Sequence, residues 1–422
     1  MSARSVSTPS VQRCAACGRE LPESDPHTRC DSCGGLLQVR HQPPALRGAA
    51  LRALFDGRTA TTPGADSSGV WRFREIVLPS AGADVVTQGE GNTPLLAQRA
   101  VTEFAGVAEL FLKHEGHNPT GSFKDRGMTV GVTQARRVGA RAVACASTGN
   151  TSASLAAYAA YAGLPALVVV PAGQVAAGKL AQSLAYGART LLVRGDFDAC
   201  LRLVQRASEE LDVYLLNSIN PFRIEGQKTI MLELLQQLGW EAPDWVVLPA
   251  GNLGNTAAFG KALAEARDWG LIDRVPRLAA VQAAGAAPFA RSFAENFATR
   301  HRVSAETIAT AIRIGDPASY DRAVESIRYT NGTVTSVSDD EIRAAKRVVD
   351  AAGIGCEPAS AASVAGTRRL VAEGTIRAGE RVVAVLTGHL LKDAGALLDD
   401  PAANRPVEID AELSEIARHL GA

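Results

Sequence analysis

The chain has 422 residues, enough for a large buried core and two or three domains. Lysine plus arginine and aspartate plus glutamate both number 44, so the formal charge is zero and no whole-molecule field draws in nucleic acid or an anionic membrane. The first ten residues lack a signal peptide's apolar stretch, and runs such as Ala166 to Pro171 are too short to span a bilayer, so a soluble, cytoplasmic protein is expected.

The first predicted element is built on Cys14-x2-Cys17 and Cys30-x2-Cys33, each pair followed by a glycine that permits a tight turn. Four thiolates at this spacing meet zinc's tetrahedral demand, and the segment is too short to bury a core of its own. Residues 1–42 are therefore expected to form a zinc-ribbon-like segment whose zinc is structural, all four positions being filled by sulfur. Two disulfides or free thiols are the alternative, and a reducing cytoplasm disfavours the disulfides. Cys145, Cys200 and Cys356 are widely spaced and read as small buried residues. Residues 43–70, rich in Pro, Gly, Ala and Thr, read as a linker with one helical turn around Leu46 to Phe55. The main body follows over 71–402, and 403–422 form a tail.

Within the body, strands are predicted at Ala108 to Leu112, Ala142 to Ala146, Ala166 to Val170, Thr190 to Val193, Trp245 to Leu248, Ala279 to Val281 and Arg381 to Leu386. Helical patterns follow most of them. That alternation implies an α/β protein with mostly parallel sheets, because parallel neighbours need long crossovers.

The loops between these elements carry the candidate chemistry. NPTGSFKDRGM, Asn118 to Met128, sets Lys124 at the start of a helix beside Phe123. A nucleophilic lysine needs its charged form disfavoured by burial or a neighbouring cation; otherwise Lys124 is a solvated helix-start lysine. In CASTGNTSAS, the hydroxyls and free N–H groups of Ser147, Thr148, Asn150 and Thr151 can hold a carboxylate or cap a helix, or both. NSINPFRIEGQKT offers amide, hydroxyl and guanidinium donors at Asn217, Ser218 and Arg223. VVLPAGNLGN runs from a strand through a glycine turn into a helix, so Gly251, Asn252, Leu253, Gly254 and Asn255 can cradle a phosphate. It lacks the GxGxxG spacing of a dinucleotide fold. Thr387, in LTGHLLKD, follows an apolar strand and should face a cleft.

Taken together, these ordered motifs, with QAAGAAP, ATAIRIGDPAS and CEPASAA between them, resemble pyridoxal-phosphate enzymes of fold type II, in wording closest to the threonine synthase family. The resemblance spans roughly Gly89 to Asp393. It implies two α/β units, the smaller at about 134–216, with pyridoxal 5'-phosphate in the cleft between them. It assigns Lys124 to the cofactor's aldehyde, Gly251 to Asn255 to its phosphate, Asn150 to its phenolate oxygen and Thr387 to its ring nitrogen. Ser147, Thr148 and Thr151 fall to the substrate's α-carboxylate. Asn217, Ser218 and Arg223 fall to the phosphate of O-phosphohomoserine, with Ser147 and Thr151 near the same group. The implied partner is a small phosphorylated amino acid, and a homodimer is expected. Leu390 stands where the family commonly has glycine, which puts loop geometry beside His389 in question.

Other readings share many of these residues. A β-replacement or elimination enzyme, such as a cysteate synthase or threonine dehydratase, would carry similar lysine and cofactor loops. Phosphate donors at Ser218 and Arg223 argue against the dehydratase. A binding module on a dead enzyme would explain the ribbon, but Arg13, Arg19 and Arg29 are scattered without aromatic interleaving, and the lysine is intact.

Overall fold

The computed structural model describes residues 10–58, 64–82, 84–147, 149–173, 177–195, 197–395 and 406–419. Thr148 lies outside them, as do parts of the expected linker and tail.

Three sheets organise the chain. The amino-terminal sheet joins β1 (Ser10–Cys14) to β2 (Glu20–Pro22) and β3 (Leu37–His41), both antiparallel. The turns beside them bring Cys14, Cys17, Cys30 and Cys33 together, with all four Sγ atoms within 4.8 Å of one another. Two separations, 3.4 Å for Cys14–Cys33 and 3.7 Å for Cys17–Cys30, are close to the ~3.8 Å edge of a tetrahedron with Zn–S bonds of about 2.3 Å.

The large sheet has the order β12 (Thr333–Val337), β11 (Arg277–Ala283), β10 (Trp245–Pro249), β13 (Arg381–Leu386), β5 (Glu109–His114) and β4 (Leu95–Ala97). All its pairings are parallel except β4 with β5. The small sheet is wholly parallel, in the order β8 (Arg189–Val193), β7 (Ala166–Pro171), β6 (Ala142–Ala146) and β9 (Val213–Leu215). Strands buried on both faces read as continuous apolar runs, as in WVVLP and RVVAVL, so the expected strands were readable. The short β4 and β9 and the polar edge strand β12 (TVTSV) lack that signature.

Within the expected linker, a helix stands where the sequence predicts one helical turn. Gly48–Asp56 is a nine-residue helix whose Leu51 and Phe55 enter the main core, Phe55 packing edge-on against Phe73 at 5.0 Å. The ribbon is likewise bolted to the body. His41 Nε2 lies 2.7 Å from Glu225 Oε2, Gln134 donates to the Glu23 carbonyl at 2.9 Å, and Arg137 pairs with Glu23 at 2.8 Å.

Helix Lys124–Arg137 packs against helix Pro221–Gln227 so closely that a Cβ at Gly226 would lie 1.8 Å from the Arg126 carbonyl oxygen. Only glycine allows this approach, and it sets the two helices that flank the cleft. Among the described residues no helix is long and apolar enough to cross a membrane.

Candidate active site

The carboxyl ends of β10, β13 and β5 lie side by side, since Trp245 is level with Val382 and Leu386 with His114. Each strand therefore delivers its following loop to the same edge: the glycine loop, Thr387 and the lysine loop. The small sheet delivers Ser147 from the end of β6. Carboxyl ends of parallel strands are where α/β proteins build their sites. Here they enclose a cleft of about 290 Å³, near the lower end of ligand pockets at roughly 300 Å³. Lys124, Ser147, Asn150, Thr151, Asn217, Ser218, Gly251 to Asn255 and Thr387 all line it.

Lys124 opens its helix, and its Nζ sits 4.0 Å from the Phe123 ring centroid. Burial, then the charge of Arg223, lower its pKa to about 7, while Glu357 opposes the shift. Asp125 anchors the turn, accepting from the Thr120 N–H at 2.7 Å and the Thr120 hydroxyl at 2.6 Å. Phe123 N–H donates to the Thr387 carbonyl at 3.0 Å, so the lysine loop is registered directly on the end of β13.

The glycine loop has the backbone geometry that an anion cradle requires. Leu253 adopts a left-handed conformation (φ 63°), and helix Gly254–Asp268 begins immediately after it. Among the described residues, the N–H groups of Gly251 to Asn255 donate to nothing. Asn252 braces the loop: Nδ2 donates to Ser218 Oγ at 3.1 Å, and Oδ1 accepts from Ala318 N–H at 3.0 Å. Among the described residues, the N–H groups of Ser147, Gly149, Asn150 and Thr151 are likewise unspent at the start of helix Asn150–Tyr161. Two sets of free donors at two helix starts, one lysine of depressed basicity and a strand-end hydroxyl fit pyridoxal phosphate and a carboxylate-bearing substrate.

Two expected ligand residues are differently disposed. Asn217 spends its amide on Ala146, accepting from its N–H and donating to its carbonyl, each at 3.0 Å, so it fixes the Ser147 loop. Arg223 is wholly buried beneath the cleft wall, not on its surface. Its Nη1 donates to the Leu216 carbonyl at 3.0 Å, but Nε and Nη2 have no partner among the described residues. Burial lowers its pKa to about 10.

Glu357 is the residue sequence reasoning missed, although its motif was noted. It caps helix Pro358–Ala372 in position, yet its side chain makes no cap bond and turns into the cleft. There it accepts from Asn150 Nδ2 at 3.0 Å and from the Thr387 hydroxyl at 3.2 Å, and burial raises its pKa. Ser360 Oγ, 3.0 Å from Thr387 Oγ1, extends the network. Leu390 packs on Gly355, where a Cβ would come within 2.3 Å of Leu390 Cδ2, and His389 N–H donates to the Gly121 carbonyl at 2.9 Å. The departure from glycine is thus absorbed by a glycine opposite.

A family model described as pyridoxal-phosphate dependent enzyme matches residues 86–388, and the chain belongs to that family. The curated threonine synthase of Methanocaldococcus jannaschii is 42% identical over 418 residues, covering 97% of this chain and 99% of that protein. The threonine synthase of Methanosarcina acetivorans is 44% identical over 406 residues, covering 96% and 97%. Within the class, the chain belongs with the threonine synthases. Among solved structures, Escherichia coli threonine synthase aligns at a TM-score of 0.65 with 19% identity over 93% of this chain and 90% of that one. Maize serine racemase aligns at 0.63 with 21% identity over 85% and 98%. At such identities these two speak for the fold alone.

The amine's basicity yields a pH prediction. Only unprotonated Lys124 can condense with an aldehyde, so the rate at which cofactor-stripped protein captures pyridoxal phosphate should rise with pH and reach half its plateau at about pH 7. In Glu357→Gln a negative neighbour that favours the ammonium is lost, so the midpoint should move to lower pH. Stopped-flow absorbance of the bound cofactor measures both.

Proposed function

We propose that the chain converts O-phospho-L-homoserine and water to L-threonine and phosphate. The observation that carries this reading is the convergence of Lys124, two sets of unspent N–H donors and Thr387 in one cleft. Gly251 to Asn255 would hold the cofactor's phosphate, Asn150 its phenolate oxygen and Thr387 its ring nitrogen. When bound, pyridoxal phosphate supplies an aldehyde that takes the substrate's amine and a conjugated ring that accepts electron density from the α-carbon. Ser147 and Thr151 orient the substrate's carboxylate. Lys124, near neutrality, accepts the α-proton and can carry protons along the chain as phosphate leaves the γ-carbon and water adds at the β-carbon. Ser218 lines the cleft, and the incompletely bonded Arg223 behind it favours a substrate phosphate there.

The test is one incubation of cofactor-loaded protein with O-phospho-L-homoserine, following phosphate and L-threonine together. Equal release of both supports the reading. Faster turnover of O-phosphoserine would assign a β-replacement enzyme instead.

The four-thiol cluster supports a structural zinc, and zinc analysis of the purified chain should return one equivalent. Chelation should release the ribbon strands and lower the unfolding temperature, read by circular dichroism. A cytoplasmic setting is the expected one, since a reducing compartment keeps four thiols available to hold zinc. A homodimer is the expected assembly, checked by mass in solution with and without residues 1–40.

A further inference from the structure

Outside the cleft, a second cavity of about 260 Å³ lies between β3, helix Pro221–Gln227, helix Gly254–Asp268 and helix Tyr320–Tyr329. Its walls are largely apolar, with Val39, Pro221, Ile224 and Ala257 among them. One lining residue is out of keeping. Arg322 is 7% exposed, yet among the described residues its guanidinium makes a single hydrogen bond, from Nη2 to the Leu37 carbonyl, and no ion pair. Its Nε has no partner.

A buried cation is ordinarily matched, because desolvation costs several kcal/mol that only partners offset. Arg126, Lys113 and Lys228 obey this rule, each bonded to at least one buried carboxylate. Arg223 and Arg322 do not. The first stands behind a cleft read as taking an anionic substrate, and the second lines a cavity to which nothing has been assigned. Burial lowers the pKa of Arg322 to about 10, with the field of nearby Glu325 in opposition. Glu325 lines the same cavity, is exposed, and has no ion pair among the described residues. Lys261, the other lining cation, is already spent on Glu225 and Glu265. The site thus offers an under-bonded cation and, one turn along the same helix, a carboxylate with no ion pair among the described residues, both beside a largely apolar wall. That pattern suits a zwitterion with an apolar body; an inorganic anion would lose hydration there without any apolar contact to compensate.

We propose that this cavity binds a free α-amino acid with an aliphatic side chain, carboxylate on Arg322, ammonium toward Glu325, and side chain against Val39, Pro221 and Ile224. The occupant touches both helices that serve the active site, since Ile224 neighbours Arg223 and Ala257 lies two residues after the glycine loop. The cavity is an effector site by position.

The experiment is calorimetric titration of the full, cofactor-loaded chain with L-leucine and with 4-methylpentanoate, which lacks the ammonium, while the cofactor's visible absorption is recorded. The expected result is saturable leucine binding with an unchanged absorption band, weaker by about tenfold or more for 4-methylpentanoate and by at least as much in Arg322→Gln. Ala264→Leu fills the chamber without altering its charges and should abolish binding too, which covers a failure of Arg322→Gln to fold. Absence of binding at millimolar leucine, binding retained in the variants, equal affinity for 4-methylpentanoate, or an altered absorption band would each overturn the assignment.

Discussion

Lys124→Ala is expected to lower turnover of O-phospho-L-homoserine by about 10³-fold or more, with the loss in kcat rather than in folding. In the proposed mechanism the amine holds the cofactor and moves the substrate's protons, and general acid–base transfer alone is worth roughly 10²–10⁴. The variant should also lose the absorption band of the lysine-linked cofactor. Stability should hold or rise slightly, because the substitution removes an amine whose charged form is disfavoured by burial and by Arg223. Lys124→Arg should not restore activity, since a guanidinium remains protonated. Turnover within tenfold of the parent would sink the central assignment.

Arg126→Met is expected to cost about 3–5 kcal/mol of stability, the range for breaking one side of a buried ion pair. Arg126 is fully buried two residues after Lys124. Its Nε and Nη2 grip the two oxygens of Glu115 at 2.7 and 2.8 Å, and Nη2 also reaches Glu233 at 2.8 Å. Glu233 keeps Lys113 and Arg72 in the variant, each at 2.6 Å, whereas Glu115 keeps only neutral donors such as Thr93 and Asn118. The pH dependence separates this account from simple loss of packing. Arg126 holds the pKa of Glu115 below its ordinary value in the parent, so the parent's contribution is present above that value and fades as pH falls through the lowered one. Without Arg126, burial and the charge of Glu233 raise Glu115 with Lys113 left to oppose them. The stability gap between parent and variant, measured by denaturant titration, should therefore narrow as pH is taken down through the carboxylate range. A gap independent of pH would mean that lost packing, not charge, is responsible.

The parts legible in the sequence were those with local causes. Apolar runs marked seven strands, and glycine or hydroxyl residues at the strand ends marked the loops that converge on the cleft. Glu357 escaped because its local context, an acid just before Pro358 at a helix start, has an adequate explanation that never mentions the cleft; only the register of β13 brings Thr387 beneath it. Arg223 was found, but its depth was not, because burial depends on how closely Gly226 lets two helices approach. The Arg126 network joins residues more than 100 positions apart and has no periodicity to betray it.

The His41–Glu225 contact has a practical consequence for anyone reshaping this enzyme. Glu225 is met from one side by the ribbon's imidazole and from the other by Lys228 and Lys261, on a helix only two residues along from Arg223. A graft that swaps residues 1–42 for another organism's version, or trims them to simplify crystallisation, would alter the load on that helix as surely as a substitution inside the cleft. The boundary suggested by composition is therefore a poor place to cut, and chimeras should exchange the ribbon together with its seat on Pro221–Gln227.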